Sequence, residues 1–225
     1  MNKTMLWAAA LATAAAVTTP ALAADQHGRW QVKLLGSGVL PDGKIDAVKT
    51  DLIGLPAGSQ TKADDNVVPT LAIEYYATPN VSIETICCLT QHKVDGAGAL
   101  AGARLVDHVL ILPATLTLKY HVDAGPIRPY VGLGPSLFVI MGEKPGAAAR
   151  ALGASKVSMS NELGVVLQGG VDIPVSDSGL GLSLDAKKYF IGTTTRFTTA
   201  AGVTALETRH KLDPWVVSGG VYFRF

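Results

Sequence analysis

The sequence predicts an all-β chain: an eight-stranded antiparallel transmembrane β-barrel with short periplasmic turns and long extracellular loops. Three observations lead there. Apolar and polar residues alternate with period two in segment after segment. The connections between those segments are alternately short and long. Hydrophobic residues reach 48% of the 225 and charged residues only 16%, a poor charge content for a domain bathed in water. Yet nothing after the N-terminal region is a continuous apolar run long enough for a membrane-spanning helix.

Residues 1–23 read as a secretory signal peptide, and 24–225 as the barrel domain. Lys3 is the one charge in that leader, Leu6 to Val17 form a short apolar core, and Ala21-Leu22-Ala23 after Pro20 gives an A-x-A cleavage pattern. The alternative, a membrane anchor, needs roughly 18–20 apolar residues, more than this run supplies. Without Lys3 the chain carries 18 basic residues (19 − 1) against 18 acidic ones. That balance gives no electrostatic footprint for nucleic acid.

Eight strands follow in order, at about 30–40, 69–77, 81–92, 107–122, 127–141, 159–173, 180–192 and 213–225. The last is the clearest: Trp215, Val217, Gly219, Val221, Phe223 and Phe225 share one face. In the fourth, Leu116, Leu118, Tyr120 and Val122 alternate with Thr115, Thr117, Lys119 and His121. Thr78-Pro79-Asn80, Asp123-Ala124-Gly125-Pro126 and 174–179 are tight turns rich in Pro, Gly, Asn and Asp. Connections 41–67, 93–106, 142–158 and 193–212 are long. Lipid cannot hydrogen-bond an open sheet edge, so strands there must close on themselves. A soluble lipocalin-like barrel also alternates, but turns its polar face outward. Here one face is continuously aliphatic and aromatic while the other carries scattered charge.

With the apolar face toward lipid, ten charges point inward: Lys33, Glu74, Glu84, Lys119, Arg128, Glu162, Asp172, Asp185, Lys187 and Arg224. Five of each sign allow mutual pairing in the narrow interior of an eight-stranded barrel. They read as a structural network, with a polar conduction path as the alternative. Toward the long loops the inward set turns apolar: Val39, Val68, Cys88, Val109, Ile111, Phe138, Ile140 and Ile191. An apolar upper lumen over a charged plug suits a small hydrophobic ligand. Pro113, also inward, removes a ladder hydrogen bond and marks either an opening or a bulge.

Adjacent Cys87 and Cys88 point to opposite faces of a strand, so no disulfide framework is implied. Nothing in the sequence calls for a metal or other cofactor. A lipid-modifying enzyme would need a nucleophile and a base in reach of each other. His92 and His108, flanking one long loop, and Ser155, Ser158 and Ser160 across the mouth supply the residue types, but no spacing demands that they meet. The C-terminal pattern Ser218-x-Gly220-x-x-Phe223-x-Phe225 resembles the signal read by the outer-membrane assembly machinery.

Several stretches carry a family resemblance: 69–85 (PTLAIEYYATPNVSIET), 112–121 (LPATLTLKYH), 127–134 (IRPYVGLG), 170–174 (GVDIP), 184–189 (LDAKKY) and the Asp213-Pro214-Trp215 opening of the last strand. In this order they resemble the OmpW family, across nearly all eight strands but little of the long loops. The resemblance implies a bacterial outer-membrane barrel in contact with the bilayer and lipopolysaccharide. It also implies a narrow apolar upper channel, closed part-way down, that passes small hydrophobic compounds sideways into the membrane. A purely structural, adhesive or receptor barrel is the alternative. Cys87-Cys88 departs from the family pattern, which has small apolar residues there.

Overall fold

A computed structural model describes residues 28–225. The expected signal peptide lies outside the described residues. Fourteen strands and one short helix follow in order: β1 (Trp30–Leu40), β2 (Lys44–Asp51), β3 (Ser59–Ala63), β4 (Asn66–Tyr76), β5 (Val81–Cys87), β6 (Thr90–Gly98), β7 (Arg104–His121), β8 (Arg128–Pro145), α1 (Ala147–Ala151), β9 (Ala154–Met159), β10 (Glu162–Pro174), β11 (Leu180–Phe190), β12 (Gly192–Thr199), β13 (Thr204–Lys211) and β14 (Trp215–Arg224).

The barrel wall consists of eight antiparallel staves in the order β1, β4, β5 continued by β6, β7, β8, β10, β11 and β14. It closes where β14 pairs with β1 over ten registered positions, from Gln31↔Arg224 to Leu40↔Trp215. One step beyond, Trp30 and Phe225 exchange both backbone hydrogen bonds, at 3.0 and 2.8 Å. Thus the C-terminal phenylalanine belongs to the closing seam and stacks on Phe223. Period-two alternation decides each face. Along β1, Gln31, Lys33, Leu35, Ser37 and Val39 are buried while Trp30, Leu34 and Leu40 are exposed. The exposed apolar side chains of all eight staves form a continuous outer belt, edged at the short-turn end by Trp30, Tyr75, Tyr120 and Phe225. Such aromatic edges are expected at a membrane boundary.

The strand positions agree with the alternation in sequence, with two physical differences. The third expected strand, 81–92, is broken between β5 and β6. The β4 ladder ends at Leu71↔Cys87, the β5–β7 ladder ends at Ile86↔Thr115, and β6–β7 pairing starts only at Thr90↔Ile111. Cys88 and Leu89 therefore have no ladder pair on either side, and opposite them lies Pro113, which lacks an N–H. The second difference concerns the long connections, which are mostly β-structure. β2, β13, β12 and β9 form a four-stranded sheet above the barrel, facing an extension built from β3, β6 and the upper parts of β7 and β8.

Side chains bridge the edges of these two upper sheets where the ladder lapses. The Gln60 carboxamide pairs with both backbone groups of Ile45, joining β3 to β2. Glu143 accepts from the Met159 N–H at 2.9 Å and Asn161 from the Ile140 N–H at 2.8 Å, joining β8 to the β9–β10 corner. Asn66 donates to the Gln91 carbonyl at 2.8 Å between β4 and β6. The upper region is a taller, looser continuation of the same tube.

Two outcomes follow. Protease added to intact cells should cut at the exposed tips around 52–58, 99–103 and 200–203, and should spare the β4–β5 turn at 78–80; cleavage at that turn would invert the proposed orientation. Deleting Phe225 removes the last reciprocal pair and the terminal aromatic, so processed chain should accumulate in the periplasm, scored by fractionation and heat-modifiability. Normal insertion kinetics for that truncation would show that neither feature is used in assembly.

Candidate functional site

The lower half of the lumen is filled by a connected set of buried charges. Lys33 Nζ lies 3.0 Å from Asp172, 3.2 Å from Glu74 and 3.5 Å from Glu84. Lys119 bridges Glu74 and Glu84 at 2.9 Å each, and Lys187 joins Glu84 at 3.2 Å to Asp185 at 2.6 Å. Neutral groups take up the remaining carboxylate valences: Gln168 donates to Glu84 and Asp185, Tyr130 to Asp185, Gln31 to Asp172 and Ser82 to Glu74. The Tyr130 ring lies beneath two ammonium groups, 3.7 Å from Lys119 Nζ and 4.8 Å from Lys33 Nζ. It fits because Gly170 stands opposite; a Cβ there would collide with the Tyr130 hydroxyl.

Eight of the ten expected lumen charges are buried inside; Arg128 and Glu162 are half-buried at the two ends of their strands. Arg128 sits at the short-turn rim, paired with the exposed Asp123 at 2.7 Å and donating to the Pro79 carbonyl. Its position at the very start of β8 puts it outside the central cluster. Glu162 has the inward parity but lies above the level where β10 and β11 part, at Val165↔Phe190, and its carboxylate accepts from Ser160 at 2.8 Å. Arg224 is inside yet below the cluster, stacked 3.7 Å over the Tyr76 ring and donating to the Gly28 carbonyl. Three lysines therefore meet four carboxylates, not five against five. His121, Tyr130, Gln31 and Gln168 were missed because only formally charged residues were counted, although all four share the inward parity of Lys33, Lys119 and Asp172.

Above this floor the lumen becomes apolar. Val39, Val109, Ile111, Phe138 and Ile140 line a narrow cavity of about 50 Å³, with Cys88 and Pro113 in its wall and Lys187 and Tyr189 at its base. Val68 and Ile191 are buried in the same apolar core but border neighbouring grooves. Cys87 faces outward and both thiols are free. A second chamber of about 330 Å³ sits higher, between the two upper sheets, walled by Ile45, Leu55, Leu105, Val106, Phe197 and Leu206. Among its polar groups the His210 ring touches Thr61 at 3.1 Å and Thr208 at 2.7 Å, while the buried Thr195 hydroxyl has no hydrogen-bond partner. Burial holds the His210 imidazole below the usual histidine pKa, so it stays neutral and the chamber uncharged at pH 7.

His92, His108, Ser155 and Ser160 each bond partners other than one another. His92 bonds Thr90 and the Asp64 carbonyl, and His108 bonds the Gly142 carbonyl. Ser155 donates to the Thr198 carbonyl and Ser160 to Glu162. A different Ser-His-Glu set exists in the floor, where His121 Nε2 lies 2.8 Å from Ser82 and 2.9 Å from Glu74. There the acid and the hydroxyl share one ring nitrogen, whereas a relay needs the orienting acid on the other.

Removing one member of the buried cluster leaves its partners uncompensated, at a cost on the order of 3–5 kcal/mol. Lys119→Met should therefore lower the urea midpoint strongly and weaken heat-modifiability. Arg128→Glu, at the rim, should lower the midpoint less, because its acidic partner Asp123 is largely in solvent. Equal midpoints for the two variants would contradict the arrangement.

A family model described as the OmpW family matches residues 26–225. An uncharacterized outer-membrane protein, y4mB, of Sinorhizobium fredii is 33% identical over 95% of this chain and 90% of its own. Outer membrane protein W of Vibrio cholerae is 26% identical over 95% of this chain and 97% of its own. In fold, the crystal structure of OprG from Pseudomonas aeruginosa aligns with a TM-score of 0.76 at 22% identity, covering 89% of this chain and 98% of that one. The solid-state NMR structure of AlkL in lipid bilayers aligns at 0.69 and 20% identity, covering 100% and 97%. Sequence and architecture agree: the chain is a bacterial outer-membrane β-barrel and belongs to the OmpW family.

Proposed function

We propose that the chain is a passive conduit that takes small hydrophobic molecules from the cell surface and releases them sideways into the outer membrane. The observation that carries this reading is the division of one lumen into an apolar upper half and a sealed, ion-paired floor. A solute descending from the upper chamber meets aliphatic and aromatic walls, then a floor of three lysines and four carboxylates packed at 2.6–3.5 Å. An apolar molecule gains nothing by entering that floor, and displacing the pairs would strand buried charge.

Lateral release has a matching feature in the wall. Cys88 and Leu89 lack ladder partners on both sides, and Pro113 opposite them has no N–H to restore the ladder. Cys88 and Pro113 line the lumen cavity, while Leu89 is exposed on the outer face. Parting the wall there breaks fewer hydrogen bonds than anywhere along the continuous ladders. No bond-making chemistry is assigned to the chain, and contact with lipopolysaccharide and with the assembly machinery belongs to the same proposal.

The test is uptake of a small hydrophobic fluorescent probe by intact cells. Ile111→Asp, at a half-buried lining position, or Phe138→Asp puts a charge in the apolar path and should reduce barrel-dependent uptake about tenfold, a change of roughly 1.4 kcal/mol. Unaltered uptake by a heat-modifiable Asp variant would place the route elsewhere or leave the chain a structural barrel.

A further inference from the structure

The two chambers share two lining side chains, Val94 and Met159, and we infer that Met159 is the size-selecting constriction between them. This rests on the transport reading above and adds to it a residue that sets which molecules pass. Val94 and Met159 line both cavities, the narrow lumen of about 50 Å³ and the upper chamber of about 330 Å³. The proposal places the passage from one to the other at these two side chains.

The two jaws differ physically. Val94 is β-branched, so its χ1 freedom is restricted. Its backbone is paired on both sides, with Ala63 of β3 and Val106 of β7. Met159 is unbranched, with three rotatable bonds and a polarizable sulfur, so it moves aside at little cost. Its side chain is half-buried against the apolar core.

The Met159 backbone, by contrast, is fixed. It pairs with Thr195, and its N–H donates to Glu143 at 2.9 Å. The next residue is held from three directions: Ser160 N–H donates to the Thr194 carbonyl at 3.0 Å, the Thr193 hydroxyl donates to the Ser160 carbonyl at 2.9 Å, and the Thr194 N–H donates to Ser160 Oγ at 2.8 Å. This is the corner at which β9 of the upper sheet turns into β10 of the barrel. A soft side chain on a rigid mount, opposite a stiff one, makes a yielding aperture whose resting width is set by one residue's volume.

The experiment compares intact cells carrying the wild-type chain, Met159→Ala, Met159→Leu and Met159→Trp, each checked for normal heat-modifiability. Uptake rates are measured for naphthalene, anthracene and pyrene, three rigid fluorescent hydrocarbons of increasing size. The Ala variant should raise pyrene uptake about tenfold relative to naphthalene, the Trp variant should lower it by a similar factor, and Leu, close in volume, should keep the wild-type ratio. If wild-type uptake depends on the barrel but the pyrene-to-naphthalene ratio is the same in the Ala and Trp variants, Met159 is not the constriction. If wild-type cells take up none of the three faster than cells lacking the chain, the transport reading falls and this inference falls with it.

Discussion

A peptide group facing hydrocarbon has nothing to bond except another peptide group, and this constraint shapes the whole molecule. It forces β1 to find β14 and makes the terminal Trp30–Phe225 exchange part of the wall. Its reach can be followed up the barrel. Along the apolar belt the ladders run without interruption for about ten residues in β1–β14, β1–β4 and β10–β11. Toward the upper sheets, side chains substitute for missing rungs: Gln60, Asn66, Glu143 and Asn161 each supply a bond that a neighbouring strand does not. Water tolerates such substitution and lipid does not. The β7–β8 ladder lapses on one side opposite Pro135, but the Cys88–Leu89 step, with its exposed leucine, is unpaired on both sides.

Closing with only eight staves leaves an interior that side chains must fill, and the chain fills its two halves by opposite means. Below, three lysines and four carboxylates are locked together with tyrosine, glutamine and serine. A mispaired charge in so dry a space would be costly, so the cluster favours one register, because sliding any stave by one residue would turn its charge toward lipid. Above, Val, Ile and Phe side chains pack without directional bonds, so space can open and close there at low cost. Rigidity in the floor and compliance in the upper lumen follow from the same need to fill a narrow tube.

The barrel was legible in sequence because its determinants are local. Period-two alternation names the face of each residue, and Pro-Asn or Gly-Pro turns name the short end. The closing strand could be read side chain by side chain from Trp215 to Phe225. The lumen was legible to the extent that parity alone decides, which placed Lys33, Glu74, Glu84, Lys119, Asp172, Asp185 and Lys187 inside. It failed where depth along the stave matters: Arg128 and Glu162 have inward parity but sit at the two extremes of their strands, one at the rim and one where β10 leaves β11. The upper sheets were not legible, because 41–67 and 193–212 alternate weakly and are joined by long-range pairs such as His210 with Thr61. The break at Cys88–Leu89 had one local sign, Pro113, but its meaning depended on a register that sequence cannot supply.

A conduit for apolar molecules has to bind them well enough to admit them and weakly enough to let them go. On the proposed reading, the upper chamber meets that demand through its largely aliphatic walls. Thr61 and Thr208 are bonded to the His210 ring, which leaves the Thr195 hydroxyl as a polar point in an otherwise aliphatic wall. Neutral His210 also spares the chamber a buried charge that an apolar solute would have to avoid. What remains to discriminate among solutes is shape, and shape is controlled where the space is narrowest. On the proposed reading, the ion-paired floor, the wall step without rungs and one soft side chain between two apolar chambers define a single path, which enters from the surface and turns toward the lipid before it reaches the charges.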